Sequence, residues 1–364
     1  GGSTLHPTYT QLVASILKRY PYTATFVFGS GIDNYRGRGA PSSEAARKLL
    51  ADCTRDSSSP AVAAADFPPI FPDARRRDRM DGDAPPALPP PDNLFQLQRK
   101  TFGGVRGPLS ACAIGERKRG RIPQLHDPGL LLASSTWNLS PHRHERRRRG
   151  RLRVVLNIGE GGDQHFLYGN RTKTLRLFAS VASQLVANDA VGDVSFVAMW
   201  KHDVPITKLA ARAAGARFDE AKRASFLLAE FMRRVQHADA LVCWRLHCAV
   251  FAHALGIPWV LLAYRLKAFD FAASVHQVDR VIGMDVATPG MVLARVQRVL
   301  QEPFASWRGD VETARVGWER ASKDLQSRLG PHRRRGLRVV GVCRATSREE
   351  APFAVIGSAP AAQV

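Results

Sequence analysis

The stretch DALVCWRLHCAVFAHALGIPWVLLAYRLKAFDF, residues 239–271, holds two short apolar runs, each ending where polar side chains cluster. Ala240–Cys243 is too short and too β-prone for a helix. It gives way to Trp244-Arg245-Leu246-His247, then to the helical spacing of Val250, Phe251, Ala254 and Leu255, closed by Gly256. The plan repeats after Pro258. Trp259–Ala263 is a continuous apolar run, as a strand covered on both faces of a parallel sheet requires, and Tyr264-Arg265-Leu266-Lys267 leads into a second helical segment. Two βα units in succession predict an α/β fold with a parallel sheet.

In open α/β sheets, ligands bind beyond the carboxyl ends of the strands, where helix N-termini offer unpaired N–H groups. Arg245 and His247 fall at one such end, and Lys267 falls one βα unit later. If the two strands are neighbours, their tips are separated by ~5 Å of sheet. Two cations and a histidine suit a small anionic substrate that needs proton transfer. Each residue also has a plainer reading, an arginine paired at a strand end or a histidine at a helix start.

Outward from this stretch, residues 152–330 read as one Rossmann-like domain. It opens with the β-prone run 152–156 and the glycine turn Asn157-Ile158-Gly159-Glu160-Gly161-Gly162, before a helix over 173–186. Asn157, Gly159 and Gly161 could bring backbone N–H groups to a phosphate or sugar, or simply make a tight turn. A strand over 194–199 ends at Trp200-Lys201-His202-Asp203. Asp203 is the candidate carboxylate for orienting an acceptor hydroxyl, and equally an N-cap for the helix from Val204. Helices are expected at 204–214, 223–236, 291–300 and 312–329, with a strand at 281–282. Residues 331–364 read as a basic, disordered tail.

Residues 1–34 and 94–141 predict a second Rossmann-like domain. Residues 1–6 resemble the remainder of a strand and a glycine turn, 8–19 have helical spacing, and the strand 25–28 ends at Gly29-Ser30-Gly31. A short strand at Val105-Arg106-Gly107-Pro108 precedes a helix that begins near Leu109-Ser110. Between these pieces, residues 35–93 are rich in Ser, Ala, Pro, Asp and Arg and read as a disordered insertion. Residues 142–151 form an arginine-rich linker.

The chain of 364 residues is 45% hydrophobic, enough for two cores, and carries a net charge of +21. The charge sits in runs (Arg75–Arg77, Arg146–Arg149, Arg333–Arg335) without interleaved aromatics, so solvated linker charge is expected and nucleic acid is not. Attraction to an anionic membrane surface or acidic glycan is the functional alternative. No apolar run is long enough to span a bilayer. The 5 cysteines are scattered, which predicts reduced thiols and no zinc site. The chain starts at Gly1-Gly2-Ser3, as if within a motif. An upstream signal would be invisible, and both the cytoplasmic face and a secretory lumen stay open.

Arg245-Leu246-His247, Ala252-x-x-x-Gly256-x-Pro258, Tyr264, Lys267 and Asp270-Phe271-x-x-Ser274 resemble, in order and spacing, the C-terminal signature of the polysaccharide pyruvyl transferase family. Val105-Arg106, Ser110 and Asp127-Pro128-x-Leu130-Leu131-Leu132 are similar to the family's N-terminal elements, with His126 where a glycine is usual. The resemblance implies two Rossmann-like domains facing across a cleft, as in GT-B glycosyltransferases. It also implies transfer of pyruvate from phosphoenolpyruvate to two hydroxyls of a sugar in a glycan, with no metal or other cofactor. His247 then serves as general acid/base, Arg245 and Arg106 as anion binders, and Lys267 as the group balancing the charge of the leaving phosphate. Tyr264, Asn157, Gly159, Gly161 and Asp203 are the remaining substrate-binding candidates. A nucleotide-sugar glycosyltransferase of GT-B type and a non-enzymatic basic binder of acidic polymers are the alternatives.

Overall fold

A computed structural model describes residues 25–30, 43–54, 101–113, 125–131, 152–160, 171–219, 228–301 and 307–333. Its centre is a six-stranded parallel sheet formed by β3 (Leu152–Asn157), β4 (Val191–Phe196), β5 (Arg217–Phe218), β6 (Ala240–Cys243), β7 (Trp259–Ala263) and β8 (Val281–Gly283). The spatial order is β5-β4-β3-β6-β7-β8. All of β6 and β7 is buried, as their continuous apolar runs require. The chain leaves β3 toward one edge, returns to β6 on the other side of β3, and proceeds to the opposite edge. The β3–β6 boundary is therefore the switch point of a doubly wound sheet, and Asn157 and Cys243 stand level there.

A smaller parallel pair joins β1 (Thr25–Ser30) to β2 (Thr101–Val105). The described helices are α1 (Ser43–Thr54), α2 (Pro108–Ala113), α3 (Arg171–Val186), α4 (Val204–Ala214), α5 (Leu228–Val235), α6 (Leu246–Ala254), α7 (Leu266–Ser274), α8 (Pro289–Gln301) and α9 (Trp307–Arg333). The chain divides into two compact units, Gly1–Arg328 and Leu329–Val364.

Helix α1 corrects the reading of residues 43–54 as part of a disordered insertion; residues 35–42 and 55–93 lie outside the described residues. Ala46, Leu49 and Leu50 are buried at i, i+3 and i+4, an apolar stripe that the surrounding Ser, Pro and Ala obscure. Arg47 Nη2 donates to the Val281 carbonyl at 2.8 Å, and the Ser43 N–H to Asp285 Oδ2 at 2.8 Å, which fixes α1 against the end of β8. Cys53 of this helix is disulfide-bonded, against the expectation of reduced thiols, while Cys243 and Cys248 are free and buried. Spacing along the chain did not reveal which sulfurs meet in space.

Element bounds shift elsewhere. β4 runs over 191–196, earlier than the expected 194–199, because the segment after Phe196 is already the loop that carries Trp200. α8 starts at Pro289, a residue suited to a first helical position, and α5 is the described part of the helix expected at 223–236, whose residues 223–227 lie outside the described residues. α9 continues to Arg333, into the segment assigned to the tail. The expected helix at 8–19, Gly31, Gly161, the linker 142–151 and the tail beyond 333 lie outside the described residues.

Helix α6 is buried on almost every side, and its polar members are accommodated individually. His253 is buried with its Nε2 3.1 Å from Asp310 Oδ2, and its Nδ1 accepts from Trp259 Nε1 at 3.4 Å. This chain ties α9 to the core and gives a neutral imidazole a partner at each nitrogen. Among the described residues no helix is long and apolar enough to cross a membrane.

Candidate active site at the sheet switch point

The tips of β3, β4 and β6 are joined by one side chain. Asn157 is wholly buried; its Oδ1 accepts from the Arg245 N–H at 3.1 Å, its Nδ2 donates to the Val197 carbonyl at 3.0 Å, and its own carbonyl accepts from the Trp244 N–H at 3.0 Å. With every polar atom of the amide used, Asn157 sets the geometry of the switch point. A Cβ at Gly159 would come within 2.3 Å of the Trp244 ring and 2.7 Å of Arg245 Nε, so this glycine permits close approach of backbone to side chains.

Arg245 leaves this junction in extended conformation as the residue before α6. Its Nη2 lies 2.5 Å from Asp203 Oδ1 and 3.1 Å from the Glu160 carbonyl, and its Nε lies 3.1 Å from Asp203 Oδ2. The guanidinium also sits over the rings of Trp244 at 4.9 Å and Trp200 at 5.5 Å. Burial disfavours its charge, but the Asp203 carboxylate more than offsets this, and the Arg245 pKa is raised above its ordinary value. Asp203 precedes α4 as the sequence suggests, yet makes no side-chain cap. It is fully buried, and besides Arg245 it accepts from the Glu160 N–H at 2.9 Å. Tyr264 stacks on Trp244 with ring centroids 4.1 Å apart and 9° between planes, and Lys267 Nζ lies 5.5 Å from the Tyr264 centroid.

β6 and β7 are adjacent and parallel, so His247 and Lys267 do stand at neighbouring tips. A second group of residues arrives there from the N-terminal part of the chain. Arg106, directly after β2, is 1% exposed and has Nε 2.9 Å from Asp127 Oδ2. Its Nη1 is buried without a hydrogen-bond partner among the described residues. Asp127 Oδ1 accepts from the Gly129 N–H at 2.9 Å, while Oδ2 also faces His247 Nε2 at 4.0 Å. The His247 ring is 44% exposed, the accessible member of this group. Partial burial first, then the positive charges of Arg106 and Lys267, outweigh Asp127 and hold the His247 pKa below its ordinary value. The imidazole is therefore mainly neutral at neutral pH.

Asp270 in α7 supports the group from behind. Its Oδ1 accepts from the N–H groups of Leu109 at 2.9 Å and Ser110 at 3.2 Å, and its Oδ2 from the Ser110 hydroxyl. It thereby caps α2 from a different helix. Gly107 makes room, since a Cβ there would lie 2.4 Å from Asp270 Oδ1. Desolvation raises the Asp270 pKa despite these donors. His126, beside Asp127, is buried at φ 58, the left-handed conformation that favours glycine.

The nine sequence-predicted residues thus separate into an Arg245–Asp203 group with Asn157, Gly159 and Tyr264, and an Arg106–His247–Lys267 group; Gly161 is outside the described residues. Asp127, Asp270 and Ser110 received no role from sequence, although each stands inside a quoted motif. A carboxylate within the apolar run Ala268–Ala272 was the available signal, because buried acids require partners. Among the described residues no group of three or more His, Cys, Asp or Glu side chains is placed to hold a metal ion.

The fold and this site define an α/β protein with cationic groups around a histidine at the sheet switch point. Residues 97–265 match the family model of polysaccharide pyruvyl transferase, a family of transferase enzymes, which bears out the resemblance over that stretch. The match includes Arg106, Asp127, Asp203, Arg245, His247 and Tyr264; Lys267 and Asp270 lie just beyond its end. No curated protein matches the chain. Among solved structures the chain is similar to spinosyn rhamnosyltransferase SpnG complexed with spinosyn aglycone, at 14% identity over 64% of this chain and 65% of that one, with a TM-score of 0.28. It is similar also to SpnG complexed with thymidine diphosphate, at 14% identity, 64% and 65% coverage and a TM-score of 0.26. The chain spans 65% of the length of the first of these.

Proposed function

We propose that this protein transfers pyruvate from phosphoenolpyruvate to two hydroxyls of one sugar residue in a glycan, forming a cyclic ketal and releasing phosphate. The observation that carries this reading is the match of residues 97–265 to polysaccharide pyruvyl transferase. The site supports it physically. Phosphoenolpyruvate carries a carboxylate and a phosphate, and Arg106 offers a desolvated guanidinium whose Nη1 has no hydrogen-bond partner among the described residues. In this reading Arg106 holds an anionic group of the donor, Lys267 balances the charge of the departing phosphate, and Arg245, engaged by Asp203, contributes positive potential from the switch point. In this reading the chain encloses the donor between two Rossmann-like domains, in the GT-B manner.

The chemistry is an addition followed by a displacement. The first sugar hydroxyl adds to C2 of the enol as C3 gains a proton: the His247 imidazolium formed on donor binding delivers its proton to C3, and the neutral ring then accepts the hydroxyl proton. The second hydroxyl then displaces phosphate from C2, its proton leaving with the phosphate. Asp127, 4.0 Å from His247 Nε2, stabilises the imidazolium present before the first transfer and after the second. An anionic donor beside His247 raises its proton affinity, so donor binding prepares the proton that C3 requires.

Calorimetric titration with phosphoenolpyruvate, and separately with uridine diphosphate sugars and a cytidine monophosphate sugar, tests the reading without a known acceptor. Selective binding of phosphoenolpyruvate that is lost in Arg106→Ala supports it. Binding of a nucleotide sugar alone would move the assignment to glycosyl transfer. Binding of none, with retention on an acidic polymer that falls steeply with salt, would move it to a non-catalytic binder.

A further inference from the structure

The two cysteines flanking the Arg245–His247 turn have no part in that chemistry. Cys243 ends β6 and Cys248 stands in the first turn of α6, with their sulfurs 2.6 Å apart. This is well inside the roughly 3.5–4.0 Å at which non-bonded heavy atoms rest. It is about half an ångström outside the ~2.05 Å of a disulfide. Neither residue has exposed surface, and both are enclosed by the core around β6, β7 and α6. A reduced pair would have to part by roughly 1 Å within closely packed surroundings. A bond requires a movement of about half that.

We propose that Cys243 and Cys248 form an intramolecular disulfide that closes the turn Trp244-Arg245-Leu246-His247 and holds its two functional side chains in register. The oxidant is a small-molecule disulfide such as oxidised glutathione. One cysteine thiolate attacks it, giving a mixed disulfide and one reduced glutathione; the second cysteine attacks the mixed disulfide, giving the Cys243–Cys248 bond and a second reduced glutathione. The two cysteines lose two electrons and two protons, and the glutathione sulfurs gain them. The exchange belongs to folding, before the strand end closes over. In the finished core, burial pushes the Cys243 thiol well up and shuts out reagents. The same enclosure then shields the completed bond from reductants. The disulfide at Cys53 is a second instance of this chemistry in the same chain.

Trypsin distinguishes the two states, because cleavage after Arg234, Arg245 and Arg265 puts the cysteines on separate peptides, 235–245 and 246–265. The full chain is refolded with oxidised and reduced glutathione, then unfolded in iodoacetamide without reductant and digested. The expected result is one cross-linked species of the two peptides that separates only on reduction. Recovery of both peptides alkylated, or of either joined to another cysteine, overturns the proposal, whatever the state of Cys53. In a chain carrying Cys243→Ser and Cys248→Ser, reduction should lower the urea midpoint by less than it does in the parent chain; an equal fall would overturn the stabilising role.

Discussion

Asp203 Oδ1 lies 2.5 Å from Arg245 Nη2 while Asp203 Oδ2 lies 3.1 Å from Arg245 Nε, so the carboxylate grips the guanidinium with both oxygens. The acid is fully buried and the base half-buried. Removing one member of such a pair strands the other's charge. Asp203→Ala is therefore expected to lower stability by about 3 kcal/mol, read from urea denaturation. Arg245→Lys should lose much of the same stability, since an ammonium cannot reproduce the two-pronged contact. A loss under 1 kcal/mol in both variants would contradict this account of the switch point.

Ser110 and Asp270 join the part of the chain around α2 to the part around α7. Ser110→Ala removes one buried hydrogen bond to a carboxylate and is expected to cost ~1.5–3 kcal/mol. The pH dependence has a definite sign. Because the folded-state pKa of Asp270 is raised, the folded protein binds this proton more tightly than the unfolded chain does. The stability of the parent relative to Asp270→Asn should therefore increase as pH falls from the raised value toward the ordinary carboxylate range. Denaturation of both chains across that range measures it; a difference that shrinks on acidification would oppose it.

Lys267 lowers the pKa of His247 through its charge. Lys267→Met should move the His247 titration upward toward the ordinary imidazole value, observed by NMR of the ring protons. The alkaline limb of the activity profile should move upward with it, as the proton that C3 requires is retained to higher pH. No movement of the titration would separate Lys267 from the site.

Two glycines give opposite expectations. A methyl group at Gly159 would meet the Trp244 ring at 2.3 Å, and Gly159→Ala is expected to cost ~1–3 kcal/mol. At Gly290, in α8, a methyl group would meet nothing within 4 Å, and Gly290→Ala should stabilise by roughly 0.5–1 kcal/mol. Thermal denaturation of the pair checks both signs.

The two βα units around His247 and Lys267 were legible because β6 and β7 are buried on both faces and their sequences are unbroken apolar runs. The parallel α/β class followed from them. Strand order did not, and with it went the position of the switch point and the enclosure of Asn157. Helix α1 was missed because its apolar stripe is only a few residues within a stretch of Ser, Pro and Ala. Arg106, His247 and Lys267 could be named from spacing. Their partners could not, because Asp127 reaches His247 from 120 residues away in the chain and Ser110 meets Asp270 across 160. His126 was the one local oddity visible beforehand, a histidine in a position usual for glycine, and the structure gives it a left-handed backbone.

The most direct test of the account is titration of the parent chain and His247→Ala with phosphoenolpyruvate in buffers of different ionisation enthalpy. Donor binding should be coupled to proton uptake at neutral pH in the parent, because the His247 pKa is held low in the empty site and rises when an anion arrives. His247→Ala should bind with comparable affinity and without the proton. Absence of phosphoenolpyruvate binding by the parent, or loss of affinity together with the imidazole, would contradict the central claim that His247 moves a proton beside a donor held by Arg106 and Lys267.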